Sequence, residues 1–227
     1  MVGGSTGRAA TGLVGGIMND RTPDVIIVGP PGSGKSTLAG RLAEQLAFVQ
    51  ISLSTLLRQI AAEDSATGRQ IRDAIASGAL VPDEVIEDIL RERLMAIPPD
   101  QGVILDGYPR TGAQAQALRR LLGESGRLRP RPVVLRLDVP RGGLLDRLRR
   151  RRDVEGRGDD TDDVVRRRLQ IHDAEAARVI DAVSDWADVV AIDGGQPVEA
   201  VTTQAFEKLD ARCDRAATCA SERVEGR

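Results

Sequence analysis

Eight consecutive residues, Gly29-Pro30-Pro31-Gly32-Ser33-Gly34-Lys35-Ser36, satisfy the pattern G-x-x-x-x-G-K-[ST] at every fixed position. Residues of these types in this order can hold a chain of phosphates. Glycines tolerate the dihedrals that turn successive backbone N–H groups into one concavity, and they leave no side chain in the way of an anion. If a helix starts at the end of the loop, its dipole adds to the attraction. Lys35 then reaches the β- and γ-phosphates as a point charge, and the Ser36 hydroxyl is placed to ligate Mg²⁺. Gly32, Ser33, Gly34, Lys35, Ser36 and Thr37 are therefore the candidate nucleotide-binding residues. The loop alone leaves the reaction open, because ATPases, GTPases and kinases all use it.

A second constellation lies at Val103 to Gln114, "VILDGYPRTGAQ". It resembles the signature of nucleoside monophosphate kinases, the adenylate kinase family above all: three apolar residues, Asp-Gly, an aromatic, Pro-Arg, then Asn or Gln four residues after the Arg. The chemistry suits the residue types. Asp106, at the end of a strand beside the glycine loop, would hold Mg²⁺ through its waters, and Arg110 offers a planar fork to an acceptor phosphate. The resemblance also implies a cis Tyr108–Pro109 bond, with Gly107 beside the acceptor. It spans about Asp24 to Leu209 and carries over further positions. "GALVPDE" implicates Ala79, Leu80 and Val81 along the acceptor base, and "SLSTLLR", Ser52 to Arg58, implicates Arg58 as an acceptor-phosphate ligand. "LLDRLRRRR" implicates Arg147 against the donor adenine and Arg151 near its phosphates. Arg157 and Arg168 are implied to bridge the phosphates of both substrates, and Gln196 to contact the donor base. Where the family reads Ser-Thr-Gly-Asp after its second strand, this chain has Ser52-Leu53-Ser54-Thr55, so Leu53 stands at the position of the Thr that contacts adenine. Gln114 argues for adenine as the acceptor base, since an amide can donate to and accept from its edge together.

These residues need elements to position them. Strand-like runs at 25–28, 48–51, 102–106, 133–139 and 188–193 alternate with helical patterns, which predicts a parallel sheet covered by helices. Leu38, Leu42, Ala43 and Leu46 recur at helical spacing directly after the glycine loop. Thr161 followed by Asp162 and Asp163 reads as an N-cap, and Pro197 suits the first position of the last helix. The expected fold is α/β: a three-layer P-loop NTPase with a central five-stranded parallel sheet, a helical acceptor-binding insertion at about 52–81 and a short lid at about 151–161. Residues 1–23 read as a flexible tail, and 210–227 as a frayed or partly helical one. His172, the single histidine, reads as a helix residue with a structural hydrogen bond. Asp159 and Asp160 fit either lid ion pairs or a helix cap.

Composition narrows the partners. With 32 Lys and Arg against 34 Asp and Glu, a net charge of -2 offers no bulk attraction to nucleic acid or an anionic membrane. Four aromatic residues argue against base-stacking platforms and leave a core of Leu, Ile, Val and Ala. Cys213 and Cys219 lack metal-ligand spacing, and only a short loop fits between Arg152 and Arg157, so no zinc-binding lid is expected. No run approaches the length of a membrane span or a signal peptide, so a cytoplasmic location is expected. The resemblance implies a monomeric phosphotransferase that passes the γ-phosphoryl of Mg-ATP to AMP. The alternatives are a kinase of another nucleoside or deoxynucleoside monophosphate, such as UMP or CMP, and a nucleotide sensor without turnover.

Overall fold

Val25–Val28 is apolar and buried at all four positions and forms strand β1. A strand buried on both faces belongs inside a sheet with helices on both sides. In the computed structural model, which describes residues 23–128, 130–155 and 161–224 with side chains except at 151–155 and 213–224, β1 lies at the centre. It pairs in parallel with β3 (Val103–Asp106) on one side and β4 (Val133–Asp138) on the other. Outside these lie β2 (Val49–Ser52) and β5 (Asp188–Asp193), also parallel, in the order β2-β3-β1-β4-β5. Phe48 falls before β2 because its N–H bonds back to the Ala43 carbonyl at 3.0 Å.

Alternation along the strands divides the interior into two cores. Ile26, Val28, Leu105 and Val134 face one, which α4 (Asp83–Met95), α5 (Gly112–Glu124) and α7 (Asp162–Ser184) cover through Leu90, Leu118 and Val183. Val25, Ile27, Ile104 and Leu135 face the other, which α1 (Lys35–Leu46) and α8 (Val198–Val224) cover through Leu38, Leu42 and Ala205. Helix, sheet, helix makes the three expected layers. Between β2 and α4 the chain forms α2 (Leu53–Ala61) and α3 (Ala66–Ser77), and α6 (Arg141–Glu155) follows β4. The core is not wholly aliphatic: Tyr108 and Trp186 lie in the first cluster, and Phe48 and Phe206 pack on the second.

The helix ends differ in part from expectation. Thr161 caps α7, accepting from the Val164 N–H. Pro197 sits one residue before α8 and supplies the carbonyl for the Val201 N–H, so it is the cap and not the first helical residue. α8 continues to Val224, which takes the helical alternative for the stretch expected to be frayed or partly helical. Buried Ala205 and Leu209 anchor its first half, and Ala and Arg beyond them favour helix. Residues 1–22 lie outside the described residues. Among the described residues no helix is long and apolar enough to cross a membrane.

A buried ion pair locks the amino end of the sheet. The Asp24 carboxylate accepts from the Val103 N–H at 2.8 Å and lies 3.4 Å from the Arg127 guanidinium. Arg127, 1% exposed, also donates to the carbonyls of Ile97, Pro98 and Gln101. Burial pushes the Asp24 carboxyl up, against the pull of the Val103 N–H and Arg127.

Candidate active site

At the carboxyl end of β1 the chain turns through the glycine loop into α1, the position where open parallel sheets bind ligands. Gly32 and Gly34 have φ of +81° and +90°, a region that penalises any residue with a Cβ. A Cβ on Gly32 would also lie 2.9 Å from Leu148 Cγ, so α6 packs directly on the loop. Because α1 begins at Lys35, its unpaired N–H groups open into the loop. The Lys35 ammonium donates to the carbonyls of Gly29 and Pro30, each at 2.8 Å, and is held at the loop.

The parallel register sets Ile27 opposite Asp106, which brings the end of β3 beside the loop. Ser36 Oγ donates to Asp106 Oδ2 at 2.6 Å, and Ser52 Oγ approaches the same oxygen at 3.3 Å. A hydroxyl and a carboxylate side by side are hard oxygen donors, the set that suits Mg²⁺.

Gly32 through Thr37 line one cavity of about 950 Å³. Asp106, Gly107 and Arg110 line it with the loop, as do Ala79, Leu80 and Val81 between α3 and α4. Arg147 and Gln196 lie on the same wall system, Arg147 donating to the Gly194 carbonyl at 3.0 Å and Gln196 to Asp193 at 2.9 Å. Arg58, Arg110 and Arg168 converge. Arg110 Nε donates to the Gly107 carbonyl at 2.9 Å, across the cis Tyr108–Pro109 bond that the resemblance implied. Burial, then the charges of Arg168 and Arg58, push the Arg110 guanidinium down from its usual range, with Asp106 opposing. Three guanidiniums in the cavity that the phosphate loop also lines are a set that could hold an anion.

A family model described as adenylate kinase matches residues 27–187. The chain belongs to the adenylate kinase family. It is 45% identical over 148 residues to an adenylate kinase of Thermus thermophilus, covering 65% of this chain and 76% of that protein. To the adenylate kinase of Micrococcus luteus it is 35% identical over 185 residues, 82% of this chain and 89% of the relative. To that of Kocuria rhizophila it is 37% identical over 186 residues, 82% and 98%.

Two residues that the adenylate kinase resemblance singled out do not reach the cavity wall. Leu53, fully buried, is the first residue of α2 and points into the core, and Ser54 and Leu57 line the cavity instead. Gln114 is also fully buried. Thr111 caps α5 by accepting from the Gln114 N–H, and the Gln114 side chain turns back to the Arg110 N–H and across to Asp83. The Arg151 side chain and Arg157, with Asp159 and Asp160, lie outside the described residues.

The structure adds residues to the cavity that the sequence reading did not place there. His172 lines the cavity, and burial, then the nearby Lys35 charge, hold its imidazole below the usual range. Its spacing of four residues from Arg168 on α7 is the signal that pointed there. Arg150 also lines the cavity, three residues after Arg147 on α6. Arg136 reaches it from β4, its guanidinium forked onto Asp138 at 2.9 Å for both bonds.

Proposed function

We infer that this protein is an ATP:AMP phosphotransferase, moving the γ-phosphoryl of ATP to AMP to give two ADP. The observation that carries the reading is one cavity lined by both the phosphate loop and the Arg58, Arg110 and Arg168 cluster. The loop N–H groups and Lys35 take the donor phosphates, with the donor adenine toward Arg147 and Gln196. Arg58 and Arg110 grip the acceptor phosphate, and Arg168, joined by Arg151 and Arg157, neutralises charge across both chains. The donor γ-phosphorus and an acceptor phosphate oxygen are thereby aligned for direct in-line transfer, with no covalent enzyme intermediate. Positioning and fixed positive charge supply the rate enhancement. Ser36 and Asp106 would hold Mg²⁺, which would supply positive charge against the negative charge of the transferring phosphates.

Residues 24–209 form the kinase domain in this reading. α2 and α3 within 52–81 are the acceptor-binding insertion, and 151–161 the short lid that excludes water during transfer. The enzyme is cytoplasmic and monomeric, needs no zinc, and has nucleotides as its only partners, without nucleic acid or membrane. A coupled ADP-formation assay with ATP and a panel of AMP, UMP and CMP tests the activity, and AMP is expected to give the highest kcat/KM. Lys35→Ala should lower turnover at least about 10²-fold with the fold intact, because one preorganised charge on the transferring group is worth roughly 3–4 kcal/mol. Binding of both nucleotides without ADP formation, or a pyrimidine preference, would overturn the assignment.

A further inference from the structure

Ser54 and Arg58 lie four residues apart on α2, so their side chains share one face of the helix. Both line the cavity. Of the described residues that α2 and the chain from there to Ile86 contribute to its wall, these two alone have polar side chains; the others are glycine or apolar. Arg58 Nη2 donates to Ser54 Oγ at 3.4 Å. An oxyanion taken by the Arg58 fork can therefore meet the Ser54 hydroxyl as well.

Each hydroxyl has a single proton to give. Ser52 Oγ gives its proton to Asp106 Oδ2, since an ionised carboxylate can only accept, and it accepts in turn from Thr55 Oγ1 at 3.2 Å. In the contact between Ser52 Oγ and Ser54 Oγ, at 3.4 Å, Ser54 is therefore the donor. That separation exceeds the roughly 2.5–3.0 Å of a well-formed O–H···O bond. The Ser54 proton is weakly held and turns at small cost to a phosphate oxygen, where the bond is shorter and charge-assisted. The family pattern has glycine at this position, so the hydroxyl is an addition of this chain.

We propose that the Ser54 hydroxyl is a further ligand of the acceptor, donating a hydrogen bond to the phosphate of a nucleoside monophosphate beside Arg58. This rests on the reading of Arg58 as the acceptor-phosphate ligand. The bond adds affinity for the acceptor without selecting its base, because every nucleoside monophosphate carries the same phosphate.

The test is the Kd of the full chain for AMP and for 2′,3′-dideoxy-AMP, measured by calorimetry without ATP, in wild type, Ser54→Ala, Ser54→Thr, Arg58→Ala and the Ser54→Ala, Arg58→Ala double variant. Ser54→Ala weakens both ligands by the same factor, about 10-fold, as expected for one hydrogen bond to a charged group. Ser54→Thr keeps a hydroxyl and stays within about threefold of wild type. In the Arg58→Ala background the loss of the Ser54 hydroxyl weakens AMP further, because the contact is with the phosphate itself. If Ser54→Ala binds AMP as wild type does while Arg58→Ala is weaker, the proposal fails and the Arg58 reading stands. If the loss appears with AMP and vanishes with 2′,3′-dideoxy-AMP, the hydroxyl meets the ribose, and the proposal fails. If the double variant binds no more weakly than Arg58→Ala, Ser54 acts only through Arg58, and the proposal fails again. If Arg58→Ala leaves AMP binding unchanged, both readings fail.

Discussion

Replacing Arg110 with Met should make the nucleotide-free protein more stable and the enzyme far poorer. In the free protein Arg110 holds a partly buried charge, and Arg168 and Arg58 oppose that charge while Asp106 alone favours it. Its Nε also donates one hydrogen bond, to the Gly107 carbonyl. Methionine keeps an unbranched stem and removes the charge. The lost hydrogen bond costs about 1 kcal/mol. Replacing buried charge with apolar volume ranges from neutral to roughly 4 kcal/mol favourable, so after that loss the net runs from about −1 to +3 kcal/mol, centred on added stability of about 1 kcal/mol. For the acceptor phosphate, two charge-assisted bonds at about 1.5–3 kcal/mol each disappear, an upper loss of roughly 3–6 kcal/mol. Because Arg58 and Arg168 remain to hold the anion, the lower end applies, a drop of about 10²–10³ in kcat/KM for AMP. Arg110→Lys keeps the charge without the fork, so it should fall between the two in activity and show no gain in Tm. The assays are coupled ADP formation and thermal unfolding without nucleotide. A variant within threefold of wild type in kcat/KM and several degrees lower in Tm would refute the reasoning, because Arg110 would then be a structural residue.

Three further outcomes are expected. The Tyr108 hydroxyl is buried without a hydrogen-bond partner among the described residues, so Tyr108→Phe should raise stability by about 1 kcal/mol, a Tm increase of roughly 2–4 °C; a loss of that size would show that the hydroxyl is bonded. His172 has its pKa held below the ordinary value of 6.5, so the unfolded chain binds more protons just below that pH and stability falls on acidification from about pH 6.5. His172→Gln should flatten Tm against pH in that window, and unchanged slopes would show that the imidazole is not the cause. Arg127→Met leaves Asp24 buried and three carbonyls without their donor, so unfolding in urea should show a loss of about 3–5 kcal/mol, part of it recovered by adding Asp24→Asn; a loss under 1 kcal/mol would contradict the buried lock.

The phosphate loop was legible from the sequence because its requirements are local. Glycine at Gly32 and Gly34 answers to their own positive φ, and the helix that follows shows its period within twelve residues. The Asp106 to Arg110 turn was equally legible, being a short contiguous segment. Strand positions came within a residue or so of the observed ones, since unbroken apolar runs signal strands covered on both faces. The partnerships were decided elsewhere. Ser36 meets Asp106, 70 residues away, only because β3 inserts between β1 and β2 with Ile27 opposite Asp106. Leu53 and Ser54 are neighbours in sequence, yet packing of α2 turned the first into the core and the second toward the cavity; successive helical residues point about 100° apart, and a motif match does not specify that phase. Gln114 was legible as an amide four residues after Arg110, but its bond to Asp83, 31 residues away, was not. Asp24 and Arg127, separated by 103 residues, carry no local pattern at all. Turn dihedrals and periodicity are properties of adjacent residues, whereas strand order, helix phase and buried polar pairing are settled by the summed packing of the whole chain, and at those levels only the tertiary structure decides.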